Sequence, residues 1–378
     1  MRSHGLAPHP PYERDVTNVE VAGGVPLVSV MGTPRTMGNH LGQRLKPKLQ
    51  VLAQYLLEQF TAATRAAGNE VPARAVRDLL HGSIAAATRL EPGLWMELES
   101  IAIAAGITEE DLLLVHGYGD LLSTYHCPVP PSSSTFISLG APHTDTGLPR
   151  MVLAWHLDPA LLPYVTLVRR LPAHGPASLS LTIAGVGPVA GLSEAGVAVA
   201  WNELRVTDGM QGQLMSHLLG SALCAPSMED VLSRVQMGPR HGGGAFHLLS
   251  TGGERVSLEM SGQHQVRLLD PFQSAPRVHT NHPLHEEIAR WSAHQGEQAS
   301  KTRLEVIASL AIDAACCTPA TICSWFGLED REGSAASRLT IDTGINPMTT
   351  VLVIIDPASK TMHLRRGGNS AHLESIKL

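Results

Sequence analysis

Two short apolar segments joined by a polar turn constrain the fold of this chain more than any other feature of its sequence. Residues 135–139 and 150–158 are rich in β-branched, aromatic and aliphatic side chains, which favour strands. Residues 145–147, Asp-Thr-Gly, supply the turn chemistry between them. The sequence therefore predicts a hairpin with a serine cluster, residues 132–134, at the start of its first strand and a His-x-Asp sequence at the end of its second.

The parts of the chain on either side of this hairpin have different periodicities. A first strand is predicted over 19–30, and from 32 to about 122 the apolar residues recur at intervals of three and four, which is typical of helices. The Pro-rich residues 128–131 end this block because proline cannot join a strand ladder. Short β segments follow residue 158. The remaining predicted elements are helices near 211–223, 227–235 and 286–310, and a closing hairpin of 349–355 and 360–366.

Helices at both ends of the chain and strands in the middle predict an α+β fold, a four-layer αββα sandwich with a helical N-terminal part. A chain of 378 residues that is 43% hydrophobic can bury a core of that size. We expect one structural domain. Within it, residues 1–131 form an N-terminal strand and a helical part, and residues 132–378 form the αββα catalytic core.

The charge and cysteine content exclude several classes of partner. The net charge is −6 and no run of basic residues is present, so neither nucleic acid nor an anionic membrane is favoured. The longest apolar stretches are far shorter than the roughly 20 residues that span a membrane. No apolar signal segment is found near the N-terminus, and the five cysteines include an adjacent pair, which suits reduced thiols. We therefore expect a cytoplasmic protein.

The serine cluster after the prolines allows two interpretations. Such a cluster is often only a solvated turn. However, a hydroxyl at the first residue of a strand can act as a nucleophile if the preceding peptide bond is cleaved, because the freed α-amino group lies beside it. That amine has an unperturbed pKa of about 8 and can serve as the general base without a histidine.

Several patches of sequence, taken in order, favour the second interpretation. Residues 32–42 resemble a G-x-P-x-x-x-G-x-x-x-G opening, residues 133–136 a Cys-Thr-Ser/Thr start, and residues 153–158 a G-Q/R-N-W/Y-D segment. Residues 185–202 resemble a Gly-rich segment ending in Asn, and residues 279–282 contain a T-N-H sequence. These patches, with the closing hairpin, resemble the acyl-coenzyme A:6-aminopenicillanic acid acyltransferase (isopenicillin-N acyltransferase-like) family of N-terminal nucleophile hydrolases.

This resemblance implies an amide-bond hydrolase or acyltransferase that works through an acyl-enzyme. Carried over by position, Ser133 is the nucleophile, Asp158 orients the amine or the substrate, and Asn281 stabilises the oxyanion. Cleavage between Ser132 and Ser133 would give a heterodimer of the protein's own chains. The implied substrate is a small acyl donor or amide, such as an acylated amine or peptide-like metabolite of secondary metabolism, and no cofactor is implied.

The chain departs from the family pattern at three positions. Serine replaces the nucleophilic cysteine, and because a hydroxyl is much less ionised than a thiol, self-cleavage could be slow or absent. His156 and Ser193 replace two asparagines. Ser134 and Cys127 remain alternative nucleophiles, although the proline after Cys127 makes it a poor strand start. The predicted substrate-binding residues are Ser134, His156, Gly191, Ser193 and His282.

Three rival functions are weaker. Residues 185–191 mimic a dinucleotide-binding loop, but a strand rather than the required helix is predicted next. A metal-dependent hydrolase would use His156, Asp158, His279 and His282, although Pro283 interrupts any helix there. An unprocessed member of the fold that binds a ligand without turnover is the remaining alternative.

Overall fold

The computed structural model describes residues 20–125, 127, 132–269, 275–293, 297–328, 346, 348, 350–367 and 372–378. The helices are α1 (Pro34–Ala66), α2 (Ala73–Leu90), α3 (Pro92–Ala105), α4 (Glu109–Thr124), α5 (Met215–Leu223), α6 (Met228–Val235), α7 (Glu286–Ala289), α8 (Glu297–Asp313) and α9 (Pro319–Trp325). A 3-10 helix covers Pro159–Tyr164. In this part of the chain no helix has both the length and the apolar character needed to cross a membrane.

Fifteen strands are described. They are β1 (Glu20–Ala22), β2 (Val25–Gly32), β3 (Ser132–Leu139), β4 (Arg150–Leu157), β5 (Val165–Pro172), β6 (Ser178–Ile183), β7 (Gly187–Ser193), β8 (Val197–Leu204), β9 (Gly243–Ser250), β10 (Arg255–Met260), β11 (Gln265–Arg267), β12 (Arg277–His279), β13 (Thr350–Asp356), β14 (Thr361–Arg366) and β15 (Glu374–Lys377). They form a nine-stranded sheet, β1-β2-β5-β6-β7-β8-β9-β10-β11, and a six-stranded sheet, β12-β3-β4-β13-β14-β15.

The predicted helical block is confirmed, and local capping explains where its helices begin. Thr33 and Thr108 precede α1 and α4, and the hydroxyl of each accepts a hydrogen bond from a backbone N–H three residues later. Proline occupies the first turn of α1. Helix α1 approaches α3 closely at Gly38, where an added Cβ would meet the carbonyl oxygen of Glu97. The packing of α1 on α3 therefore requires a residue without a side chain at Gly38, in addition to the buried apolar residues of α1.

The two sheets stack face to face, so the predicted αββα sandwich is confirmed. Alternate residues of the six-stranded sheet, such as Leu153 and Val353, join the core between the sheets together with residues of the nine-stranded sheet and of α1 to α4. Their neighbours Val152 and Leu352 lie in a second core with α8 and α9. Helices α5 and α6 cover part of the outer face of the nine-stranded sheet. Both faces of the six-stranded sheet are consequently buried.

Some predicted boundaries were wrong. The first predicted strand is a hairpin, because Gly23 and Gly24 turn the chain between β1 and β2 with φ angles of 55° and 81°. The predicted helix over 286–310 is two helices, α7 and α8. The sequence patterns missed α9, β12 and β15. Residues 1–19 and the Pro-rich residues 128–131 lie outside the described residues.

The Gly-rich segment 185–191 leads into strands, as predicted, and not into a helix. Strand β7 pairs with β6 and β8 follows it as an antiparallel neighbour. The pairing of β7 with β8 covers only Ala190 to Leu192. Trp201, near the end of β8, donates its Nε1 hydrogen to the carbonyl oxygen of Pro188 at 3.3 Å. The first residues of β7 and the last residues of β8 are therefore not paired with each other, and they adjoin the candidate site.

Candidate active site

Among the serines of β3 whose side chains are described, Ser134 is the one that forms hydrogen bonds with other polar side chains. It is buried, with 5% of its surface exposed. Its backbone N–H donates to Asn281 Oδ1 at 2.8 Å, and its Oγ accepts from Asn202 Nδ2 at 2.7 Å and from Asn281 Nδ2 at 3.3 Å. Ser134 and Asn281 are 147 residues apart in sequence, so only the pairing of β12 with β3 brings them together.

Ser133 points to the other face of the same strand. It lies opposite His156 in the β3–β4 ladder, and successive side chains of a strand alternate between the two faces of the sheet. His156 contacts the hydroxyls of Thr135 and Thr350 at 3.3 and 3.0 Å, and its ring lies 6.2 Å from that of Phe326 beyond α9. Burial lowers the pKa of His156 to about 3, so this ring is neutral. Ser133 and His156 therefore belong to the face covered by α8 and α9.

Asp158 lies just past the end of β4 and is exposed. Its Oδ1 accepts a hydrogen bond from the Ala160 N–H at 2.8 Å and so caps the 3-10 helix. Among the described residues, neither Ser134 nor Asn281 is a hydrogen-bond partner of this carboxylate. The structure thus places Asn281 beside Ser134, the neighbour of the predicted nucleophile, and leaves both Ser133 and Asp158 outside this hydrogen-bond network.

Four contacts fix the orientation of the Asn281 side chain. Besides accepting from Ser134 N–H, Oδ1 accepts from Arg303 Nη2 at 2.7 Å, while Nδ2 also donates to the carbonyl oxygen of Glu203 at 3.0 Å. The backbone N–H of Asn281 donates to Ser300 Oγ at 2.8 Å. Burial lowers the pKa of Arg303 to about 10, which leaves the guanidinium charged at neutral pH. A cation behind Oδ1 therefore holds the amide so that Nδ2 faces Ser134 Oγ.

A second buried chain of hydrogen bonds leads away from Ser134 through Asn202. The Asn202 Oδ1 lies 3.0 Å from His247 Nε2 and 3.2 Å from His279 Nδ1. On its far side, His279 Nε2 donates to Glu259 Oε1 at 2.9 Å, and this carboxylate also accepts two backbone N–H groups. These contacts hold the pKa of Glu259 below its usual value despite the opposing effect of burial. Asn202 is thereby oriented with its donor towards Ser134.

The sequence patterns missed several of these residues. Asn202 is the last residue of the Gly-rich segment that resembles the family, so the resemblance could have identified it as a candidate site residue. His247, Glu259 and Arg303 come from separate elements, and no local pattern in the sequence marks them.

Three of the predicted substrate-binding residues lie elsewhere. Gly191 packs against the side chain of Leu223 in α5. Ser193 accepts a hydrogen bond from the Ala195 N–H in the turn after β7. His282 follows Asn281 but turns towards Ser300, with 2.8 Å between Nδ1 and Oγ, and burial lowers its pKa to about 4.

A cavity of about 90 Å³ lies in front of Ser134. Its walls are mainly apolar, and of the predicted site residues only Ser134 lines it. Besides Ser134, the aromatic and polar side chains of the lining are His116, Tyr118, Trp155, Trp201, Glu203 and Ser216. A pocket that is largely apolar with a few polar groups is typical of a small-molecule site. This cavity could hold an acyl group whose carbonyl carbon reaches Ser134 Oγ.

The structure does not support Cys127 as the nucleophile, and it does not support a metal-dependent hydrolase. Cys127 is buried, and burial raises the pKa of its thiol, which makes it a weaker nucleophile. The proposed metal ligands are dispersed, because His156 contacts threonines, His279 contacts Asn202 and Glu259, and His282 contacts Ser300. Across the described ranges, no group of three or more His, Cys, Asp or Glu side chains could hold a metal ion.

Comparison with known families decides what kind of protein carries this site. Residues 157–370 match the family described as acyl-coenzyme A:6-aminopenicillanic acid acyl-transferase, and the match covers more than half of the chain. The chain belongs to this family. As a member, it is an amidohydrolase or acyltransferase of the N-terminal nucleophile type. The part that matches this acyltransferase family contains Asn202 and Asn281 and begins after β3, so the serine cluster lies before it.

Solved structures with similar architecture include an amidase, an acylase and a hydrolase. A Caenorhabditis elegans orthologue of N-acylethanolamine-hydrolyzing acid amidase is 11% identical, with a TM-score of 0.41 over 65% of this chain and 99% of the other. Penicillin V acylase from Agrobacterium tumefaciens is 15% identical, with a TM-score of 0.41 over 65% and 86%. A mutant of conjugated bile acid hydrolase from Clostridium perfringens is 11% identical, with a TM-score of 0.43 over 65% and 92%. No curated protein matches the sequence of this chain.

Proposed function

We propose that the chain cleaves or transfers the acyl group of a small amide through an acyl-enzyme on Ser134. One observation carries this proposal: Ser134 Oγ lines the cavity and accepts hydrogen bonds from two side-chain amides, those of Asn202 and Asn281. Ser134 replaces Ser133 as the nucleophile in this proposal because the Ser133 side chain belongs to the opposite face of β3.

Maturation would supply the general base. In the intact chain the nitrogen of Ser134 is an amide and cannot accept a proton. Attack of Ser134 Oγ on the carbonyl carbon of Ser133 would break the C–N bond, form an ester and leave the nitrogen of Ser134 as an amine. Water would then hydrolyse the ester to a Ser133 carboxylate and a free Ser134 hydroxyl. The resulting two chains would remain together as a heterodimer, because β2 pairs with β5 in one sheet.

The catalytic cycle then follows from the positions of the two amides. The α-amino group of Ser134 takes the hydroxyl proton as Oγ attacks the substrate carbonyl. The Nδ2 donors of Asn202 and Asn281 are neutral and fixed, so they can stabilise the oxyanion without reorganising. The protonated amine gives its proton to the leaving nitrogen. Water, or an amine acceptor, finally attacks the acyl ester and regenerates Ser134.

Intact-mass measurement combined with N-terminal sequencing tests this proposal. We expect purified protein, fresh or after incubation, to contain a large chain that begins at Ser134 and reacts with a β-lactone probe at that residue. Ser134→Ala should abolish cleavage and labelling. Ser133→Ala, the matched control on the opposite face, should retain both. A large chain that begins at Ser133, or labelling that persists in Ser134→Ala, would show that another nucleophile acts. An intact chain that the probe does not label would favour a binding protein without turnover.

A further inference from the structure

Glu203 places a carboxyl group in the wall of the cavity in front of Ser134. Its side chain is partly exposed, but Oε1 is buried and has no hydrogen-bond partner among the described residues. Its carbonyl oxygen accepts the Asn281 Nδ2 hydrogen at 3.0 Å, so the backbone of Glu203 is fixed to the candidate active site. Oε1 is therefore an acidic oxygen beside the candidate active site that lacks a hydrogen-bond partner within the described ranges, and it is available to a ligand.

The surroundings of this carboxyl group are aromatic. The chain has only five tryptophans and five tyrosines, and Trp155, Trp201 and Tyr118 all line this one cavity. The face of an aromatic ring carries partial negative charge and attracts cations, and tryptophan does so best. A carboxylate among aromatic rings is therefore suited to an ammonium group and poorly suited to an anion.

The Oε1 atom of Glu203, which has no partner in the described part of the chain, is in an energetically unfavourable state in the free protein. Burial raises the pKa of its carboxyl group, and the positive charge of Arg205 opposes that change only in part. A buried carboxylate oxygen without a hydrogen-bond partner is costly, and a bound cation would offset this cost. The same pairing gives the cavity selectivity, because a neutral ligand of equal size would leave Glu203 unsatisfied.

Gly119 of α4 makes room for this carboxyl group. A Cβ added at Gly119 would lie 3.1 Å from Glu203 Oε1 and 3.2 Å from Oε2. Both oxygens thus rest against bare helix backbone, and a larger residue there would force them to move. This contact offers a way to displace the carboxyl group without removing its charge.

We propose that this cavity is a subsite for a cationic nitrogen of the substrate, an alkylammonium group recognised by Glu203 together with Trp155, Trp201 and Tyr118. The inference rests on the proposed function and names the substrate class of the same site: a small amide that carries a positive charge close to the acyl group.

Direct binding measurements on the full chain test the subsite. We expect n-butylammonium to bind in isothermal titration calorimetry, and the uncharged n-butanol to bind much more weakly. Glu203→Gln should weaken n-butylammonium binding by about tenfold or more, because a charge-assisted contact is lost. Glu254→Gln, which changes an exposed glutamate in the turn between β9 and β10, is the matched control and should bind as the wild type does.

A second variant keeps the test decisive if Glu203→Gln does not fold by circular dichroism. Gly119→Ala retains the carboxyl group but moves it, and because the added methyl group also lies at the cavity wall, it should weaken n-butylammonium binding by a larger factor than butanol binding. Equal affinity of the wild type for n-butylammonium and n-butanol would overturn the subsite. Wild-type binding by folded Glu203→Gln would overturn it as well.

The proposed function and the subsite can fail separately. Ser134→Ala should bind n-butylammonium with unchanged affinity, since the subsite does not require the nucleophile. If β-lactone labels Ser134 and n-butylammonium does not bind, the subsite is refuted and the acyl-enzyme stands. If n-butylammonium binds through Glu203 and no probe labels Ser134, the subsite stands and the acyl-enzyme is refuted.

Discussion

Replacing Asn281 with aspartate should separate the structural role of its side chain from its proposed role in catalysis. Oδ1 accepts from the Ser134 N–H at 2.8 Å and from Arg303 Nη2 at 2.7 Å. Nδ2 donates to the Glu203 carbonyl oxygen at 3.0 Å and to Ser134 Oγ at 3.3 Å. Aspartate keeps an acceptor for the first two contacts and loses the donor of the other two.

The expected change in stability follows from this list. Asn281→Asp loses two neutral hydrogen bonds of about 0.5–1.5 kcal/mol each, and the existing bond from the charged Arg303 gains a charged acceptor, which offsets part of this loss. The free energy of unfolding should therefore change by no more than about 2 kcal/mol. Asn281→Ala instead leaves the Ser134 N–H and the buried Arg303 without this acceptor. At about 1–3 kcal/mol for each unsatisfied group, that variant should lose about 2–6 kcal/mol.

The expected change in reactivity is larger for a variant that remains folded. If Asn281 Nδ2 stabilises the oxyanion, Asn281→Asp should slow acylation of Ser134 by about 10²–10³-fold, which corresponds to about 2.7–4 kcal/mol. Urea unfolding followed by circular dichroism measures the first effect, and the rate of labelling by a β-lactone measures the second. Wild-type labelling by a folded Asn281→Asp variant would refute the oxyanion role. A loss of stability equal to that of Asn281→Ala would refute the pairing with Arg303.

Two further predictions concern packing and pH. Gly38→Ala should lower the free energy of unfolding by about 1–3 kcal/mol, because the added methyl group meets the Glu97 carbonyl oxygen. Gly93→Ala is the control and should be close to neutral, since its added Cβ would have its nearest neighbour at 3.4 Å. Thermal unfolding measures both variants. The pKa of His156 is about 3 in the folded chain and about 6.5 when unfolded, so between these values the unfolded chain binds the extra proton and stability falls as pH falls. His156→Gln should make that dependence shallower by up to about 1.4 kcal/mol per pH unit in urea titrations, and an unchanged slope would contradict a neutral buried ring.

Much of the fold could be predicted because its determinants are local. The threonines before α1 and α4 and the three- and four-residue spacing of apolar side chains mark the helical block. The β-branched, aromatic and aliphatic side chains of β3 and β4, with the turn residues between them, mark a hairpin whose antiparallel register the structure shows. Gly23 and Gly24 also indicate a turn locally. The alternation of apolar and polar residues over 19–30 nevertheless led to the prediction of one strand instead of β1 and β2.

The site was only partly predictable. The resemblance to the family pointed to the start of β3, to Asn281 and to the segment that ends in Asn202. It assigned the nucleophile to Ser133, whereas the hydrogen bonds and the cavity converge on Ser134. It assigned an acidic role to Asp158, whose carboxylate caps the adjacent 3-10 helix through a contact only two residues away.

The sequence alone determined the layers, the helical block, the hairpin and the kind of chemistry, since each of these depends on spacing or motifs within short stretches. Only the tertiary structure decided which serine meets the cavity. Both faces of the six-stranded sheet are buried, one against the other sheet and one against α8 and α9, so apolar residues fill both faces of β3 and alternation cannot tell them apart. The partners of Ser134 come from 68 and 147 residues away, and only the stacking of the sheets and the β3–β12 pairing bring them to it.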